Sequence, residues 1–309
     1  MPYYPLPPEN QNAEHPPQRR NILRRMVLCV SILLIVYGAV RLVGYGTDLV
    51  FSRKTTQALR ETAAETNGSF SSEIRETASP ALQATSSPAS VEKEQTKGSE
   101  AFEKLPVVAY PNGNNLVARI RNLRKKNKYI IGWITMDDLD EPVMRRDNDF
   151  YMNHDAAGRR NSNGAIFIDQ GINLLSRPYT ILLYGHNMKT GAMFGNLRRY
   201  EEFSYCYRHR KIQFDTLYEE GRYVIFAVSQ IKLTTGTSRY VSLSDLQSAD
   251  RKTRRSALNA LKKCSMHEAM ADVNEEDQLL LLVTCVGDDD ERLIVAARRI
   301  REEERAVSL

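Results

Sequence analysis

Gln278 to Cys285 reads QLLLLVTC, an unbroken apolar run that stops at a threonine and a cysteine. The run is too short for a stable helix and is bounded by acidic residues and a glycine. It therefore reads as a central strand with the Cys285 sulfur at its mouth. Arg292 opens RLIVAARRI only seven residues later, which makes the two runs a hairpin and sets a guanidinium beside the thiol. Upstream, YTILLYG at Tyr179 to Gly185 is another apolar strand, and it leads straight into His186. Further strand-like runs lie at Tyr129 to Thr135, Gly164 to Asp169, Lys211 to Leu217 and Arg222 to Ile231. Tight connections such as Glu219-Glu220-Gly221 favour antiparallel pairing. Ser242 to Met270 interrupts this pattern with the helical stretch SALNALKKC, placed between the Arg222 to Ile231 run and the Gln278 to Cys285 run. Before the first strand, Asn114 or Asn115 can cap a helix whose Leu116, Val117, Ile120 and Leu123 share one face. The expected fold is mainly β: a closed barrel of about eight strands, with an N-terminal helix and a helix in the insertion before the seventh strand.

The first hundred residues are of another kind. MVLCVSILLIVYGAV, Met26 to Val40, carries no charge, and apolar character resumes after Arg41 through Phe51. With Arg41 snorkelling or some tilt this reaches a single span, and Arg19, Arg20, Arg24 and Arg25 ahead of it put the N-terminus in the cytoplasm. No small-x-small cleavage site follows, so the segment reads as an uncleaved signal anchor. The expected organisation is a Pro-rich cytoplasmic tail at 1–25, a transmembrane anchor at 26–50, a flexible extracellular tether at 51–104 and a catalytic domain at 105–309. The tether is rich in Ser, Thr, Ala and Glu and too poor in apolar residues to build a core, with transient helix expected around Thr55 to Glu65. A formal charge of +5, from 43 Lys and Arg against 38 Asp and Glu, is too slight and scattered for a nucleic-acid partner. Cys29, Cys206, Cys264 and Cys285 lack CxxC spacing, which argues against a structural zinc or a disulfide framework; no metal and no cofactor is expected.

Taken singly, Cys285, His186 and Arg292 have ordinary explanations: a small buried hydrophobe, a polar loop residue, a solvated cation. Together they supply a thiol nucleophile, a titratable proton carrier and a permanent cation for a developing oxyanion. Positive surroundings favour the reactive thiolate. The acidic run Asp288, Asp289, Asp290 and Glu291 would act oppositely and reads as a solvated turn.

These residues resemble the sortases, membrane-anchored cysteine transpeptidases of Gram-positive bacteria. LLVTC is similar to the family's Thr-Leu-x-Thr-Cys motif, with Leu281 where the first Thr is usual, and YGHNMKTGAMFGNL around His186 is similar to its histidine motif. Arg292 corresponds to its arginine on the following strand. The likeness runs from 129 to 300 and includes GWI at Gly132, EPVMRRDNDFYMNHD at Glu141 and SNGAIFID at Ser162. Asn187, Met188, Met193 and Phe194, together with the insertion between Val241 and Leu279, resemble class B, although the Cys-to-Arg interval is short for that class. The resemblance implies cleavage of a C-terminal Pro- and Thr-containing sorting signal on secreted proteins. A thioacyl enzyme would then pass the Thr carbonyl to a cell-wall amine. It implies Cys285, His186 and Arg292 as catalytic residues and carries Asn153 and Thr284 to the peptide groove. A pilin-polymerising sortase, a hydrolytic cysteine protease and a non-catalytic peptide-binding barrel tethered to the membrane are the alternatives.

Overall fold

A computed structural model describes residues 18–76, 117–286 and 290–306. Helix α1, Gln18–Glu76, is followed by α2, Ala118–Lys126, and then by a barrel into which α3, Phe203–Arg208, and α4, Arg251–Lys263, are inserted; α5, Glu302–Ala306, closes the described chain. The strands are β1 Ile130–Met136, β2 Leu139–Met144, β3 Ile166–Ile168, β4 Thr180–Tyr184, β5 Lys211–Thr216, β6 Arg222–Lys232, β7 Leu279–Cys285 and β8 Glu291–Arg299. They close in the order β1-β2-β3-β4-β7-β8-β6-β5. The expected barrel is borne out, and α4 lies in the expected insertion between β6 and β7.

Pairing is mixed rather than wholly antiparallel. β2 runs parallel to β3, and β4 runs parallel to β7. The tight connections do join antiparallel neighbours, but β4 and β7 are far apart in sequence and no turn constrains their direction. β2 did not read as a strand because LDEPVM carries two acids and a proline. In place, Val143 and Met144 are buried, and Asp140 accepts a hydrogen bond from Trp133 Nε1 at 2.6 Å.

The unbroken hydrophobicity of β4 and β7 has a simple origin. Ile181, Leu183, Leu280 and Leu282 fill the barrel interior with Leu293 and Val295. The alternate residues Leu182, Leu279, Leu281 and Val283 pack outside the barrel against Ala257, Leu258 and Leu261 of α4. Both faces are therefore buried, and the period-two alternation of a half-exposed strand disappears.

Two compact units divide the chain at Thr47/Asp48. In the first, Met26 to Val43 is a helical stretch of exposed apolar side chains, within a helix long and apolar enough to cross a membrane. In the second, the start of the expected tether departs from extended chain. Asp48 to Ala64 is helical, and Ser52, Thr56, Leu59 and Ala63, spaced four, three and four apart, are buried on one face. Leu59 and Ala63 join Ile120, Leu123, Trp133 and Tyr151 in a third apolar cluster. Thr56 Oγ1 donates to Glu141 Oε2 at 2.7 Å, Arg60 pairs with Asp140 at 2.9 Å, and Asn161 Nδ2 donates to the Asp48 carbonyl at 2.8 Å. Sparse apolar residues suffice here because the barrel supplies the other half of the interface. The remainder of the expected tether from 77, the tail to residue 17, and Asn114 and Asn115 lie outside the described residues. α2 itself buries Ile120 and Leu123 as its spacing predicts.

Candidate active site

β7 ends at an exposed Cys285, and β8 lies antiparallel to it with Arg292 directly across the ladder. Just beyond that pair, Val286 N donates to the Glu291 carbonyl at 3.1 Å. Arg298, by contrast, pairs with Leu279 at the far end of the same ladder, about 20 Å away at the strand rise. It is buried and held by Asp272 and Glu304. Arg299 pairs with Glu219 at 3.0 Å. The geometry leaves Arg292 as the arginine beside the thiol.

His186 arrives from the neighbouring parallel strand. β4 runs in register with β7 to Tyr184 opposite Val283, so the residues after both strands emerge from the same barrel edge. Three bonds fasten the two chain ends together. Gly185 N donates to the Val283 carbonyl at 3.3 Å, Thr284 Oγ1 donates to the Gly185 carbonyl at 2.7 Å, and Asn187 Nδ2 donates to the Cys285 carbonyl at 2.9 Å. The loop beyond His186 folds back so that Phe194 N donates to the His186 carbonyl at 3.0 Å, and Phe194 is fully buried. Gly185 permits this, because a Cβ there would meet the Phe194 ring at 2.8 Å.

The imidazole is oriented by the backbone. His186 Nε2 lies 2.6 Å from the Met152 carbonyl, which can only accept, so Nε2 carries a hydrogen and Nδ1 is the nitrogen free to gain or lose one. The Met152 carbonyl is brought close by Gly164, at φ +63°, where a Cβ would collide with the Tyr151 carbonyl at 2.5 Å.

Cys285, His186, Arg292 and Thr284 line one cleft of about 220 Å³, together with the apolar Phe167 and Val283. Asn148, Met152 and Tyr184 also line it and were not singled out in the sequence; nothing in their local pattern distinguishes them. Tyr184 is pushed up to about 12 by burial, with Asp169 adding to the effect, so its hydroxyl stays neutral. Asn148 Nδ2 donates to Asp169 Oδ2 at 3.2 Å. Asn153 does not join the cleft: it is exposed in the turn after Phe150–Met152, where its N–H donates to the Phe150 carbonyl. The acids beside Arg292 are engaged elsewhere. Glu291 pairs with Arg239 at 2.7 Å, and Asp290 accepts from Thr234 Oγ1 at 2.8 Å. Residues 287–289 lie outside the description. The other barrel thiols are poor rivals, because burial pushes Cys206 up to about 12 and also raises Cys264. Among the described residues no cluster of His, Cys, Asp and Glu could hold a metal ion.

The sortase domain family matches residues 136–300, more than half of the chain. The chain belongs to the sortase family. It is 33% identical over 112 residues to sortase B of Listeria monocytogenes, and 30% identical over 136 residues to sortase B of Staphylococcus aureus. These alignments take in 35% and 43% of this chain and 46% and 55% of those proteins, so it spans about half the length of the curated relatives it matches. Among solved structures it resembles a Bacillus anthracis protein described as similar to sortase B. That pair has a TM-score of 0.55 and 30% identity, covering 63% of this chain and 88% of that one. It likewise resembles Staphylococcus aureus sortase B in a substrate complex, with a TM-score of 0.54 and 25% identity, covering 61% and 88%. The class B resemblance read from the histidine segment and the β6/β7 insertion agrees with these sortase B neighbours.

Proposed function

We propose that this sortase is a cysteine transpeptidase. Its substrate is a C-terminal Pro- and Thr-containing sorting signal, and its acceptor is a peptidoglycan amine. The observation that carries the reading is the convergence of an exposed strand-end thiol, a cross-strand guanidinium and a backbone-oriented imidazole on one cleft with apolar walls. The Cys285 thiolate attacks the carbonyl carbon after Thr. As the tetrahedral intermediate collapses, the C–N bond breaks, and imidazolium His186 gives its Nδ1 proton to the departing amine. The thioacyl enzyme is resolved by the incoming amine. Its proton returns to His186, and the C–S bond breaks to restore the thiolate. Arg292 donates hydrogen bonds to the oxyanion or holds the signal peptide. Thr284 acts by fixing the Gly185 carbonyl, and Asn153, outside the cleft, takes no part in this reading.

The apolar part of α1 serves as a single-pass anchor, with the N-terminus cytoplasmic and the barrel outside, which the arginines before Met26 support. Incubation with a small library of Pro-x-Thr peptides and an amine acceptor, followed by mass spectrometry, tests the reading. A thioacyl adduct on Cys285, a released tail and an amide product are expected. Peptide binding with no adduct would make the barrel a binding module, and free acid despite abundant amine would make it a hydrolase.

A further inference from the structure

Two grooves lie apart from the cleft and share no residue with it. The first, about 420 Å³, is walled by the Asp48 to Ala64 stretch of α1 and the loop at Ala156 to Arg159; Lys54, Lys126 and Arg159 stand in it, with Phe51 at its rim. The second, also about 410 Å³, carries Arg124, Lys128, Arg145 and Arg146. They adjoin at the consecutive residues Lys126, Asn127 and Lys128, at the C-terminal end of α2. Neither wall contains a carboxylate.

Asp147 lies 3.3 Å from Arg146 and Asp155 lies 3.9 Å from Arg159. Among the described residues Arg124 and Arg145 donate to the neutral carbonyls of Ile130 and Gln170, and Lys128 sits over the Tyr129 ring. Around α4 and the end of β8 the arginines are matched: Arg251, Arg254 and Arg255 by Glu275 and Glu276, and Arg298 and Arg301 by Asp272, Asp277 and Glu304. Among the described residues the two grooves thus hold seven cations against two paired acids, Asp147 and Asp155, and the first groove includes Phe51 at the end of the apolar run.

We propose that this face binds the anionic phospholipid headgroups of the bilayer that the chain's own apolar helix enters, so that the barrel is held against the membrane rather than hanging from a loose cord. The inference rests on the single-span reading above. Phe51 is the last residue of the apolar run and is 51% exposed, and Lys54 follows it by about 4.5 Å along the helix axis. The first groove therefore opens within one helical turn of where headgroup phosphates begin. The Arg159 guanidinium over the Phe51 ring, at 5.4 Å, sets a cation beside an aromatic as interfacial residues are set. An anionic surface attracts each such cation, and salt weakens the attraction. The cleft shares no lining residue with either groove.

The test uses the full chain reconstituted in vesicles of phosphatidylcholine alone or with phosphatidylglycerol. A membrane-impermeant acetylating reagent is applied, and each lysine is followed by mass spectrometry. Acetylation of Lys54, Lys126 and Lys128 should slow roughly five-fold or more in the anionic vesicles at low salt and recover at high salt. Lys262 and Lys263 of α4 should react alike in both. Lys128→Glu combined with Arg124→Glu should abolish the protection of Lys54 and Lys126 while leaving peptide cleavage in detergent unchanged. Equal rates in both vesicles would overturn the proposal, as would equal slowing at Lys262 and Lys263. Protection by inorganic phosphate in phosphatidylcholine vesicles, matching that by phosphatidylglycerol, would replace it with a soluble-anion site. Failure of the chain to float with either vesicle would count against the span itself, a result distinct from floating without protection.

Discussion

Raising the pH from 5 to 8 should loosen the docking of the Asp48 to Ala64 helix, because that helix helps to bury a carboxyl. Burial is the main reason why Glu141 is raised from 4.5 to about 7; the Thr56 hydroxyl and the more distant Arg60, 4.0 Å away, oppose the rise, and Asp140 adds to it. The folded state thus holds this proton more tightly than the unfolded chain does. The associated stability is fully present below the unfolded value of 4.5 and is lost as pH rises through about 7. A shift of this size, converted at 1.36 kcal/mol per unit, corresponds to about 3 kcal/mol once the pH is above both values. Glu141→Gln keeps an oxygen to accept from Thr56 and cannot ionise. Denaturant unfolding of wild type and Glu141→Gln at several pH values between 5 and 8, in one detergent, measures the difference. The variant should gain on wild type as pH rises to about 7, level off above it, and lead by about 3 kcal/mol at pH 8. Parallel pH profiles for the two proteins would refute the assignment of that proton to Glu141.

Other outcomes are equally specific. Cys285→Ala should abolish the acyl adduct and leave the fold intact, whereas Cys206→Ala and Cys264→Ala should stay active in the same peptide assay. Arg292→Ala should lower kcat by about 10² to 10³ with little change in peptide affinity, and Lys should rescue only in part, having charge but no planar fork; single-turnover acylation reads this. Arg298→Ala should leave catalysis per folded molecule unchanged but destabilise the protein by about 2 kcal/mol, since it empties a buried site and removes the bonds to Asp272 and Glu304, as thermal unfolding would show. Asn187→Ala should lower kcat more than it changes KM, because its side chain ties the histidine loop to the Cys285 carbonyl. A fragment beginning at residue 48 should be more stable than one beginning at 101, which gives up the buried Leu59, by about 2 kcal/mol in denaturant titration.

The barrel was legible where one segment carries its own signal. QLLLLVTC, YTILLYG and RLIVAARRI announce strands by composition, and the hairpin between Cys285 and Arg292 follows from their spacing. β2 stayed hidden because its acids and Pro142 are tolerated only through partners: Trp133 for Asp140, Thr56 for Glu141. The docked stretch of α1 was masked in the same way, since Ser52, Thr56, Leu59 and Ala63 become an interface only when the barrel is present. In the cleft, the chemically distinctive residues Cys285, His186 and Arg292 could be picked out. Tyr184, Asn148 and Met152 could not, because they enter through a strand's last residue or a loop carbonyl. The parallel direction of β4 against β7 was invisible for a related reason: local turns say nothing about strands that meet only after a long excursion.

That parallel pairing has a bearing on how such a chain can change. Cys285 and His186 face the same cleft because two strands stay in step, Thr180 with Leu279 through to Tyr184 with Val283. The excursion between them, carrying β5, β6 and α4, can lengthen or shorten freely so long as the strands leave and re-enter at the same rungs. A single residue added inside either strand would do what large loop insertions do not. It would exchange inward and outward side chains along the whole strand, carrying the interior leucines toward α4 and turning the terminal cysteine or histidine off the shared edge.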